Sequence, residues 1–247
     1  MYGVLTTQRG ARVLASPRLG PHHGFALDLD DLLPRLPDAG VVWLCAPNNP
    51  TGAPEPMATI VAVLEAVATL GPDAPAVVVD EAYAEFQHDT ALSLRDRYPN
   101  LIVTRTMSKA FALPGIRVGF AIATRPTIER LERLRPPGSI STISATVATE
   151  ALRRPELARA NVERLASERE WLAPRLAELG WMPSPSITNF LLVRIGDHDA
   201  AEEAATRLLR GGIVPRTFGP ANPVRGHLRL TVRNRAENER LLEVIAG

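Results

Sequence analysis

Three short apolar runs with helical patterns between them constrain the fold of this chain more than any other feature. Residues 41–46 are apolar and β-branched at their start, residues 76–79 end abruptly at Asp80, and residues 101–105 form the third run. Residues 57–70 between the first two carry the apolar pattern of a helix, and residues 92–98 between the second and third read as a shorter one. Short apolar runs of this kind are strands, whereas longer periodic ones are helices. Strands that alternate with helices at a spacing of roughly 30 residues require βαβ crossovers and hence a parallel sheet. Their near-continuous hydrophobicity agrees, because helices cover both faces of such a sheet.

Upstream, residues 2–9 read as the end of a helix and residues 11–15 as a short strand. Residues 17–24 form a loop whose adjacent His22 and His23 are expected to be solvated rather than to hold a metal, and residues 28–36 have helical spacing. Downstream the character changes. Helices are expected over 127–134, 141–152 and 155–179, the last a long connecting helix. A break at residues 183–185 precedes a strand over 189–194 and a helix over 199–210 that Gly211 and Gly212 close. Strands over 213–216 and 227–232 and a helix over 237–245 complete the chain. The expected class is α/β: a mostly parallel sheet with flanking helices over residues 1–140, then a smaller α+β domain over 141–247.

The 247 residues are 45% hydrophobic and 22% charged, with a formal net charge of +1. So balanced a charge supplies no basic footprint for nucleic acid or an anionic membrane. No run approaches the ~18 apolar residues of a membrane span. The single cysteine, Cys45, lies in the first strand and excludes an internal disulfide, which fits a reducing cytoplasm. The start of the chain has no signal-peptide pattern and reads as beginning inside an element.

Lysine usage is more telling. Lys109 is the only lysine, in a chain whose other basic side chains are arginine or histidine. Arginine stays protonated and cannot act as a nucleophile, whereas a lysine amine can form a Schiff base. Lys109 follows the third strand with Thr106 and Ser108 close before it; Asp80 and Tyr83 follow the second strand, and Asn49-Pro50-Thr51-Gly52 the first. In an open parallel sheet these strand ends emerge at the carboxyl edge, where α/β folds bind ligands. An acid, an amide, hydroxyls and a unique amine brought there form a candidate active site.

These residues, in this order, resemble the fold-type I pyridoxal-phosphate aminotransferases of class I/II. Asn49-Pro50-Thr51-Gly52, Asp80-Glu81-Ala82-Tyr83 and residues 108–119 with Ser108, Lys109 and Arg117 are most similar to the histidinol-phosphate branch. The resemblance implies pyridoxal 5'-phosphate as cofactor. It assigns Lys109 as the covalent anchor and general base, Asp80 as the partner of the pyridine nitrogen, and Tyr83 and Asn49 as donors to the ring hydroxyl. Thr106, Ser108 and Arg117 would hold the phosphate. Arg229 matches an arginine that binds the substrate carboxylate and Arg216 one that faces the substrate phosphate, whereas Asn189 is read as structural.

The implied reaction transfers an amino group from histidinol phosphate to 2-oxoglutarate in a cytoplasmic homodimer. Threonine-phosphate decarboxylation, aromatic-amino-acid transamination, a non-catalytic binding module and an inactive fragment stay open beside it. Family chains run longer, so the expectation is that an N-terminal region is missing. With it would go part of the phosphate cradle and the aromatic that stacks on the ring, which would leave an exposed sheet edge. Residues 135–142, where relatives often have an aromatic, and Arg233 after Val232, where Gly is common, are smaller departures.

Overall fold

The structure, a computed structural model, describes residues 2–247. It contains helix α1 (Tyr2–Gln8), the single turn α2 (Leu29–Leu32), strand β1 (Val41–Cys45), helix α3 (Met57–Ala68) and strands β2 (Ala76–Asp80), β3 (Leu101–Thr106) and β4 (Gly119–Ile122). Helices α4 (Arg125–Leu134), α5 (Thr142–Leu152) and α6 (Pro155–Glu178) follow. Strands β5 (Met182–Pro183), β6 (Phe190–Arg194) and β7 (His227–Thr231) alternate with helices α7 (His198–Arg210) and α8 (Arg235–Ala246). The chain divides into two compact units. One comprises residues up to Pro47 with Glu55–Ser108 and Leu113–Thr149; the other comprises Asn48–Pro54, Lys109–Ala112 and Glu150–Gly247.

In the first unit the sheet order is β1-β2-β3-β4, with β1, β2 and β3 parallel and β4 antiparallel to β3. Helix α3 turns Ile60, Val63, Leu64 and Val67 inward, the i, i+3, i+4, i+7 stripe of an amphipathic helix. That stripe packs with Val42, Leu44, Val77, Val79, Leu101 and Val103 in one core. Each such fully buried side chain stabilises by about 1.5–3 kcal/mol. The three valines before Asp80 are all buried, as both-face coverage requires, whereas β1 alternates and leaves Val41 and Trp43 exposed at the sheet edge.

In the second unit β6 lies between β5 and β7, antiparallel to both, and its Phe190 to Val193 are buried. Helix α7 buries Ala201, Ala204, Ala205 and Leu208 at the same helical spacing. The Asp197 carboxylate caps its first turn by accepting from the Ala200 N–H, and Gly212, at φ +77°, takes the left-handed turn after it. Asn234 caps α8 in the same way through the Glu237 N–H.

Several expectations need correction. Residues 11–15 have the composition of a strand, but no neighbouring strand pairs with them; the nearest ladder contact is a single bridge between Arg18 and Leu27. Residues 213–216 shrink to one bridge, Arg216 opposite Arg229. The expected helix over 92–98 is a 3-10 turn at Ala91–Leu94, where the Thr90 hydroxyl accepts from the Leu92 N–H.

Candidate active site

The parallel pairing sets Cys45 beside Asp80 and Asp80 beside Thr104, so β1, β2 and β3 end at one edge of their sheet. Asp80 is the last residue of β2, where the ladder stops and a side chain leaves the buried valine run. Its Oδ1 accepts from the Ala82 N–H at 3.0 Å, and its Oδ2 accepts from the Tyr2 hydroxyl at 2.5 Å. The Tyr2 ring stacks on Trp43, with centroids 4.9 Å apart and planes 13° from parallel. Tyr83 is buried, its ring edge-on to Phe86 at 5.9 Å.

At the end of β3 the hydroxyls of Thr106 and Ser108 meet at 3.0 Å. The Ser108 N–H also donates to the Thr106 Oγ1, and that hydroxyl donates to the Val118 carbonyl. Arg117 ends the turn between β3 and β4 with a left-handed backbone at φ +56°. A non-glycine residue there carries strain, of a kind that collects at ligand sites. Its guanidinium is exposed, with Nη1 donating to the Pro114 carbonyl at 3.0 Å. Hydroxyls and a guanidinium on one short segment are the donor set that a phosphate needs. Gly119 beside them could not carry a side chain without loss, since a Cβ would stand 3.0 Å from the Arg105 carbonyl oxygen.

The second unit carries Asn49, Lys109, Arg216 and Arg229. The turn that holds Asn49 is fixed by Asn48, whose amide donates to Thr51 Oγ1, and by Gly52, whose carbonyl accepts from the Ile187 N–H. Gly52 has φ +76°, and a Cβ there would lie 2.2 Å from Ser186 Oγ, so both backbone and space demand glycine. Asn49 Oδ1 accepts from Arg229 Nη1 at 2.7 Å, joining residues 180 positions apart. The Arg229 guanidinium lies over the Phe190 ring at 5.0 Å, and its Nε is buried without a hydrogen-bond partner among the described residues. Arg216 and Arg229 exchange both backbone hydrogen bonds, at 3.1 and 3.0 Å, so these arginines are directly opposed. Like charges opposed in this way destabilise a sheet. Lys109 is half-buried, its carbonyl accepting from the Ala112 N–H. Asn189 acts through its backbone, accepting from the Val232 N–H.

The expected site residues thus fall into two groups. Thr106 meets Ser108 in the first unit, and Asn49 meets Arg229 with Arg216 opposite in the second. Sequence reasoning missed Tyr2 and Trp43, both absorbed into apolar or helical patterns. The only signal was the place of Trp43 on the alternate, outward face of β1.

A mostly parallel sheet with polar side chains at its carboxyl edge, followed by a small antiparallel sheet with helices, defines an α/β architecture with a smaller α+β part. The sequence matches the family Aminotransferase class I and II over residues 6–245. It is 37% identical over 245 residues to the histidinol-phosphate aminotransferase of Thermococcus kodakarensis, covering 99% of this chain and 66% of that one. The corresponding enzyme of Nocardia farcinica is 40% identical over 226 residues, covering 89% of this chain and 55% of that one. Among solved structures, histidinol-phosphate aminotransferase from Sinorhizobium meliloti in complex with pyridoxal-5'-phosphate superposes with a TM-score of 0.89 at 29% identity. It covers 99% of this chain and 67% of that structure. The chain belongs to the class I and II aminotransferase family.

The chain therefore spans 66% of the length of the Thermococcus kodakarensis relative and less of the Nocardia farcinica one. Among the described residues no helix is long and apolar enough to cross a membrane.

Proposed function

We propose that this chain carries the machinery of a pyridoxal-phosphate-dependent aminotransferase that takes an amino group from histidinol phosphate and passes it to 2-oxoglutarate. The observation that carries the reading is the opposed pair Arg216 and Arg229, with the Arg229 Nε buried without a hydrogen-bond partner among the described residues. Two like-charged residues directly opposed on a ladder cost folding energy, and a buried donor without an acceptor costs about 1–3 kcal/mol more. An anionic substrate offsets both. The names of the relatives support this choice of substrate, and the cofactor named with the Sinorhizobium meliloti structure supports the choice of cofactor.

The residues present fit that cofactor on the chemistry of their donor set. Thr106, Ser108 and Arg117 suit its phosphate through neutral and charge-assisted hydrogen bonds. The Asp80 carboxylate suits a protonated ring nitrogen, and Tyr83 and Asn49 suit the ring hydroxyl. Bound pyridoxal phosphate supplies an aldehyde for the substrate amine and a ring that absorbs the electrons released at the substrate Cα. Lys109 would hold the cofactor through its amine until the substrate amine takes its place, and the freed amine would be the base that moves the proton from the substrate Cα. Asp80 holds the ring nitrogen protonated. Arg229 orients the substrate by its carboxylate and Arg216 by its phosphate. The cofactor role of residues 1–140, the smaller domain over 141–247, a homodimer and a cytoplasmic location belong to the same reading, as the resemblance implies.

The test is glutamate formation by the purified protein with pyridoxal phosphate, histidinol phosphate and 2-oxoglutarate, beside a Lys109→Ala control. Glutamate that appears only with Lys109 intact is expected. Carbon dioxide release from threonine phosphate in place of amino transfer would contradict the substrate assignment; no turnover of either would contradict the catalytic reading.

A further inference from the structure

Asp80 does not stand alone at its strand end. Its two oxygens are held from two directions, Oδ1 by the Ala82 N–H and Oδ2 by the Tyr2 hydroxyl. The Tyr2 ring is in turn fixed by its stack on Trp43. Trp43 sits two residues before Cys45, the register partner of Asp80, so it shares a face of β1 with Cys45. It is 42% exposed, and core packing alone does not call for an indole there. Helix α1 buries none of its residues fully. The aromatic stack and the bond to Asp80 thus account for where Tyr2 stands.

We propose that Tyr2 is a positioning residue for Asp80: seated on Trp43, its hydroxyl fixes the rotation of the carboxylate and so presents a set acceptor to a protonated ring nitrogen. This rests on the cofactor reading above. The carboxylate torsion of an aspartate is a broad two-fold rotor, so one backbone N–H on one oxygen leaves it loosely held. A second donor on the other oxygen removes that freedom before the ligand arrives, and pre-organised groups bind with less loss. Burial above all, then the neighbouring Cys45 and Asp80, pushes the Tyr2 hydroxyl far above its ordinary pKa. It therefore stays a donor at any working pH.

Tyr2→Phe keeps the ring and its stack and removes only the hydroxyl. The measurement compares the dissociation constants of pyridoxal phosphate and of its N-methylpyridinium analogue, which has no ring N–H to offer Asp80. The unfolding midpoint of the cofactor-free protein is recorded beside them. We expect pyridoxal phosphate to bind roughly tenfold more weakly to Tyr2→Phe, the scale of one hydrogen bond to a charged group. Binding of the analogue should be unchanged. Equal weakening of both ligands with a lowered midpoint would show that Tyr2 only pins α1, and unchanged binding of both would show that it does nothing for Asp80. Either result overturns the proposal while native binding stands. If the native chain binds neither ligand, the cofactor reading fails and this proposal fails with it.

Discussion

Asp80 and Glu81 are adjacent in sequence, yet the regions around them are built for different ends. Glu81 is 1% exposed and gathers donors from three sources. The Thr90 hydroxyl reaches it at 2.7 Å, the Ala91 N–H at 2.6 Å, and the Arg105 guanidinium forms an ion pair at 2.8 Å. Asp80 takes a phenol and a single backbone N–H, at the edge where its strand ends. A buried charge that has been desolvated needs charged and neutral partners to be tolerated at all. Glu81 has them, and it ties β3 to the 3-10 turn after Thr90. The lesson is that the identity of the donors, not the mere presence of a carboxylate, separates an acid that holds the fold from one that the proposed function assigns to a ligand.

The comparison can be broken by substituting each acid in turn. Asp80→Asn keeps the shape and removes the charge; cofactor-dependent glutamate formation should fall by roughly 10²–10³-fold, the scale of losing one pre-organised electrostatic group. Its urea midpoint should stay close to the native one. Glu81→Gln should do the reverse. It leaves the Arg105 guanidinium half-buried without its counter-charge, and a broken pair of this kind costs about 3–5 kcal/mol. Urea unfolding of the two variants side by side measures the contrast, and equal destabilisation would erase it.

A smaller effect sharpens the same picture at Glu85, just beyond Glu81. Burial, the largest influence, raises the pKa of Glu85, with Glu81 adding to the rise and a backbone hydrogen bond and Arg105 opposing it. Its Oε2 is buried without a hydrogen-bond partner among the described residues. An acid whose folded pKa lies above its unfolded one binds more protons when folded. Its contribution is therefore present below the unfolded pKa and is lost as pH rises through the folded one. Glu85→Gln does not titrate. Its stability relative to the native chain should improve as pH rises from about 4 toward 7, read from urea midpoints at both. A variant that loses stability relative to the native chain over that range would reverse the sign of the argument.

Much of this organisation was legible in the residues. Three valines before Asp80 could only be a buried strand, and the alternation with helices fixed the parallel sheet. Gly52 in its turn and the hydroxyls beside Lys109 were readable because their chemistry is local. What escaped depends on register and partners. Residues 213–216 look like a strand, but only Arg216 finds a partner, and nothing in the sequence says that this partner is Arg229. The bond between Asn49 and Arg229 spans 180 positions and follows from how the second unit folds. Residues 11–15 had β composition with no edge to join. Tyr2 was hidden for a related reason: a tyrosine in a short helical turn means little until Trp43 and Asp80 are seen beside it.

The central claim is that Lys109 is the residue that takes the cofactor. Because it is the only lysine, the chain offers a single side-chain amine besides its terminus. Incubation with pyridoxal phosphate, reduction with borohydride and peptide mass mapping therefore give an unambiguous answer. The account predicts one pyridoxyl adduct on the peptide containing Ser108 and Lys109, weakened in Asp80→Asn. An adduct confined to the α-amino group, or none, would contradict it.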